Sequence, residues 1–139
     1  MRKSIHSNLS SELNKELTKQ CKAIGYKRSV VLGYLIDNPD IINSICRELL
    51  RSDNLVEMIE KTTGIDMNGN NTVIPVDTDN SLAEVLKPYH ITVSTLLYFI
   101  ITNNTIYQLK EILPNELKLK KFRWINNDIY LINVILVLT

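Results

Sequence analysis

A mostly helical chain with short β-strands is the fold class the sequence predicts, and three observations predict it. Polar and apolar residues alternate from Lys3 to Leu9 and run without a loop into a helix opening. Helix-period apolar stripes with capping residues at their ends follow one another along the chain. The opening unit then returns in degenerate form, and the chain closes on a segment that reads as a β-hairpin.

The short strand is followed by a stripe of Leu9, Leu13, Leu17, Cys21 and Ile24 along one helical face. Ser10 is placed to cap this helix, Glu12 lies near its positive end, and Gly25 stops it. A three-residue turn leads to Ser29 as a second N-cap. The helix after it carries Val30, Val31, Tyr34 and Leu35 and ends at Asn38-Pro39. Strand, helix, glycine turn and helix are complete by residue 38, and so small a unit cannot bury its own strand.

Residues 71–104 repeat the outline. Setting Ser29 on Ser94 also brings Leu17 onto Leu82, Cys21 onto Leu86, Val31 onto Leu96 and Leu35 onto Ile100. The match weakens upstream. Thr78 falls where Leu13 would be, Pro75 lies inside the candidate strand, Pro88 interrupts the first helix, and Asp77 and Asp79 bring negative charge.

Four segments result: an N-terminal unit over 1–38, a helical linker over 39–70, a second unit over 71–113 and a hairpin over 114–139. The linker holds two amphipathic helices, one beginning after Pro39 and one capped by Asp53, then a polar hinge at Gly64, Asn68, Gly69, Asn70 and Asn71. Asn103 to Leu113 extends a helix up to Pro114. In the hairpin, Lys118, Lys120, Lys121 and Arg123 flank Phe122 and Trp124. The uncharged ending from Ile129 is apolar enough to be core or interface.

The residues of the first unit resemble the ribbon-helix-helix superfamily of DNA-binding proteins, the MetJ, Arc and CopG type. The resemblance is carried by the alternating strand, Leu9, Ser10, Leu13, Leu17, Gly25, Ser29 and the apolar residues after it. It implies an antiparallel two-stranded ribbon lying in the DNA major groove. Ile5 and Leu9, with Ser7 between them, would face the helices, while Ser4, His6 and Asn8 would face bases. Asn, Ser and His all carry groups that can bond base edges. Arg2 and Lys3 would attract phosphate, and the helix start around Lys27, Arg28 and Ser29 would clamp one. The alternative is an ordinary edge strand whose polar face meets water.

The resemblance leaves two ways to supply the second strand. Either two copies of the chain pair their first units, or the two units of one chain pair as a pseudo-dimer. The homodimer is the expected arrangement, because an acidic strand beside the reader would weaken groove binding.

Charge agrees with a basic reading end. Residues 1–38 carry seven Lys/Arg against three Asp/Glu, and residues 39–80 carry three against eight, so a net charge of +1 conceals a gradient. The chain as a whole is neither a polyanion mimic nor a general polycation. The glycine-loop, G-x-S-x-G, H-E-x-x-H and C-x-x-C motifs are missing. His6 and His90 lie in different units, and Glu57 and Glu60 have the ordinary spacing of an exposed helix face. The expectation is therefore a non-enzyme without cofactor or metal.

Cys21 and Cys46 read as buried thiols of a reducing compartment. The N-terminus turns polar after Met-Arg-Lys, and the C-terminal apolar run is about half the roughly 20 residues of a membrane span. A cytoplasmic protein without membrane contact is expected. Its partner would be double-stranded DNA, in transcriptional repression or in plasmid transfer, copy control or partition. The competing class is an antitoxin-like or adaptor module that docks a protein partner through the acidic middle and the apolar C-terminus.

Overall fold

The computed structural model describes residues 3–7, 9–63, 72–114 and 117. In chain order they form β1 (Lys3–Ser7), α1 (Ser11–Ala23), α2 (Arg28–Asp37), α3 (Pro39–Leu50), α4 (Leu55–Thr63), β2 (Thr72–Val76), α5 (Leu82–Leu86), α6 (Val93–Thr102) and α7 (Thr105–Leu109). A 3₁₀ turn, Lys87–Tyr89, continues α5. The mostly helical class is what the stripes predict. The predicted hinge at 64–71, and all of the predicted hairpin beyond Leu117, lie outside the described residues.

Helix α1 starts where the sequence places it, with the Leu13 N–H donating to Ser10 Oγ at 3.2 Å. It ends at Gly25, whose φ of +87° is the left-handed geometry that spares glycine a Cβ clash. Helix α2 differs from expectation at its start. Its N-cap is Lys27, which makes no side-chain cap bond, so Ser29 sits inside the first turn. From that position the Ser29 carbonyl accepts the Asp77 N–H at 3.2 Å, tying α2 to the residue after β2. Helix α4 also opens one residue later than expected, with the Met58 N–H bonded to Asn54 O.

The largest correction concerns the strands. β1 pairs antiparallel with β2 of the same chain, in the register Lys3 to Val76, Ser4 to Pro75, Ile5 to Ile74, His6 to Val73 and Ser7 to Thr72. Within the single chain the strand beside β1 is therefore β2, the pseudo-dimer pairing set out as the alternative to the homodimer. The second strand is not the acidic one expected: Thr72–Val76 contains no carboxylate, and Asp77 follows the strand rather than lying in it.

The helices close over the ribbon's inner face crosswise, α2 against β2 and α6 against β1. Ile5, Ile74 and Val76 join Leu17, Leu32, Leu35, Leu96, Leu97 and Ile100 in one core. Helices α3 and α4, between the two units, add Ile42, Ile45, Leu49 and Met58 to that core. Buried hydroxyls fix α4 on α6. Thr62 Oγ1 lies 2.6 Å from Thr95 Oγ1, and Thr95 Oγ1 lies 2.9 Å from the capping Thr92 Oγ1. Asn103 and Asn104 break the helix expected to run to Pro114, Asn104 taking a left-handed φ of 56° that Asn tolerates better than most residues. The Tyr26 hydroxyl then donates to the Leu113 and Pro114 carbonyls at 3.1 and 3.2 Å, holding the end of the described chain.

Both cysteines are buried, and among the described residues neither forms a disulfide. Burial pushes the Cys21 thiol up to about 12, the Arg28 guanidinium working weakly in the other direction, and pushes Cys46 up to about 11. Because these values lie above a thiol's ordinary 9.0, the thiols contribute stability in full below pH 9 and lose it as pH climbs through their folded-state values. At pH 8 a disulfide reagent such as DTNB is expected to react only as the protein unfolds. Immediate stoichiometric reaction of either thiol in native buffer would contradict the packing.

Candidate functional site

A two-stranded ribbon has one face on the core and one toward solvent, because successive side chains alternate. Here Ile5, Ser7, Ile74 and Val76 are buried, while Ser4, His6, Val73 and Pro75 are exposed. The inward residues bring Ser7 Oγ within 3.3 Å of Ser94 Oγ near the start of α6. Leu9 is buried as expected, at 2% exposure. The register sets His6 opposite Val73 and Ser4 opposite Pro75, so four side chains share one outer surface.

Of the sequence-predicted reading residues, Ser4 and His6 are thus brought together and outward, and Asn8 and Arg2 lie outside the described residues. Lys3 belongs to β1 and pairs with Val76. Val73 and Pro75 were missed by sequence reasoning, because the run Val73-Ile74-Pro75-Val76 is apolar throughout and hides its own alternation. The repeat carries no signal for them, since the offset that sets Ser29 on Ser94 sets Ile5 on Asn70 and not on Ile74.

The expected phosphate clamp at α2 is divided in role. Lys27 is exposed. Arg28 is turned back onto α1, its Nη1 donating to Asn14 Oδ1 at 2.6 Å and to Thr18 Oγ1 at 3.2 Å, so it braces α1 against α2. The Ser29 hydroxyl donates to Asp77 Oδ2 at 3.4 Å, which brings a carboxylate to the helix start. A carboxylate there is favoured by the exposed amides of a first turn, as a phosphate would be. Asp37 holds the following turn, accepting from Thr78 Oγ1 and from Asn80 Nδ2, the latter at 2.7 Å.

At the other end of the ribbon, α6 starts beside β1 with Thr92 capping Thr95 N–H at 3.2 Å. His90, two residues before that cap, is exposed and left-handed, with φ 56°. The two helix starts therefore flank the ribbon with different chemistry.

Elsewhere the titratable groups are dispersed. Glu57 is engaged by Lys61 at 2.9 Å on the exposed face of α4, an i,i+4 pair that solvent screens. Among the described residues no three His, Cys, Asp or Glu side chains gather as a metal site would require. No single helix among them is long and apolar enough to cross a membrane. Comparison of the chain with family models, with curated proteins and with solved structures found no match.

Proposed function

We propose that this protein binds double-stranded DNA sequence-specifically, laying the outer face of its intrachain ribbon in the major groove. The observation that carries the reading is the exposed Ser4 and His6 pair on a strand whose intervening Ile5 is locked into the core. A major groove about 12 Å wide admits a two-stranded ribbon. Strands of five residues, at roughly 3.3 Å each, are long enough to cover about five base pairs. Lys27 at the start of α2 supplies phosphate attraction, and one chain is the binding unit. Among the processes such binding serves, the ribbon-helix-helix resemblance favours repression at an operator or an accessory role in plasmid transfer, copy control or partition.

A gel shift against random and upstream duplexes tests this. Binding is expected at low salt and should fall steeply as salt rises. Ser4→Ala/His6→Ala should flatten sequence preference by roughly tenfold while nonspecific binding persists. Asp77→Asn, which removes a carboxylate from the α2 start, should tighten binding several-fold at low salt. Absence of any shift at low salt would defeat the reading.

A second reading, docking of a protein partner, is favoured by one observation. Val56 and Ile59 on the acidic helix α4, and Leu50 at the end of α3, are exposed large apolar side chains.

A further inference from the structure

The two strands of the ribbon come from one chain and present different chemistry. On β1 the outward side chains are a hydroxyl and an imidazole; on β2 they are Val73, half exposed at 50%, and Pro75. The flanks differ likewise, Lys27 and Asp77 at the start of α2 against His90 and Thr92 before α6. A ribbon built from two identical strands would repeat its contacts about a two-fold axis and read an inverted repeat. This ribbon has no such repetition to impose.

We propose, resting on the DNA-binding reading above, that the protein recognises a site without inverted-repeat symmetry. Hydrogen-bonding base edges lie under Ser4 and His6. One or more thymine methyl groups lie against Val73, the apolar contact by which thymine is told from cytosine in the major groove. The Val73 side chain reaches the ribbon's outer surface directly opposite His6, so the polar and apolar contacts address neighbouring base pairs.

Selection from a random duplex library by the full-length protein, followed by titration of the selected site, tests this. The expected motif is asymmetric and binds one chain. Replacing its thymines by deoxyuridine, one at a time, should weaken wild-type binding about fourfold at the position under Val73, the value of one buried methyl. The same replacement should leave Val73→Ala unaffected, and melting curves verify that this surface variant is folded. An inverted repeat holding two chains would overturn the proposal while leaving DNA binding intact. So would a deoxyuridine effect equal in wild type and Val73→Ala. Failure to enrich any duplex would remove the DNA-binding reading itself.

Discussion

Replacing Ile74 by alanine is expected to destabilise the protein by about 2–5 kcal/mol, the range for truncating a buried isoleucine in a core that cannot fully collapse. Ile74 is 0% exposed, sits at the centre of β2 and faces Ile5 across the ribbon. A two-stranded sheet has little stability of its own, so the ribbon persists because its inner face is glued to α2 and α6. Removing Ile74 takes away glue from both strands at once. Val73→Ala, one position along the same strand, truncates an outward side chain and should stay within about 0.5 kcal/mol of wild type. Urea denaturation of the two variants makes the comparison. Equal midpoints would mean that the inward and outward faces had been assigned wrongly. A fall in the slope of the Ile74→Ala transition would instead report a ribbon already detached before the main unfolding.

Much of this architecture is written locally and could be read there. Ser10, Gly25 and Pro39 mark helix ends through bonds and dihedral limits that involve only near neighbours, and each does what its residue type implies. The apolar stripe from Leu9 to Ile24 is buried apart from the half-covered Leu13, because a helix that shows one oily face has one way to hide it. The outward placing of Ser4 and His6 followed from period-two alternation alone. The partner of β1 was not legible. Pairing with another β1 or with β2 buries the same Ile5, and alternation is silent about which isoleucine lies opposite. Degeneracy of the second unit obscured the answer further. Ser29 aligns with Ser94 at an offset of 65 residues, whereas Ile5 pairs with Ile74, 69 residues on. The second unit is thus four residues shorter between strand and second helix, about one helical turn at 3.6 residues per turn. Helix α5 and its 3₁₀ continuation, ending at Pro88 and Tyr89, are accordingly shorter than α1. The partner of Ser29 was equally out of local reach, since its hydroxyl donates to Asp77, forty-eight positions away.

Gly33→Ala provides the second large expected effect, and intrinsic propensity points the wrong way for it. Gly33 lies within α2, where alanine is favoured over glycine by about 1 kcal/mol. Yet a Cβ built there would stand 2.5 Å from the Asp77 carbonyl oxygen and 2.9 Å from its carbonyl carbon. The obstacle is backbone that follows directly on β2, so it cannot swing aside as a side-chain tip would. Overpacking of this kind costs about 1–3 kcal/mol and sometimes more, and against an unyielding carbonyl the upper part of that range applies. The net expectation is a loss of about 2 kcal/mol, after the helix gain is subtracted. The Asp77 N–H bond to Ser29 O, which ties the end of β2 to α2, should be the first contact to give way. Gly25→Ala supplies the contrast. Nothing lies within 4 Å of a Cβ there, but φ is +87°, so its cost of about 1–2 kcal/mol comes from left-handed backbone and not from crowding. Hydrogen exchange separates the two mechanisms. Gly33→Ala should accelerate exchange of the Asp77 amide beyond the global change, whereas Gly25→Ala should leave that amide to follow global stability. If Gly33→Ala raised the melting temperature, helix propensity would have prevailed, and the close approach of α2 to the ribbon's end would have to be abandoned.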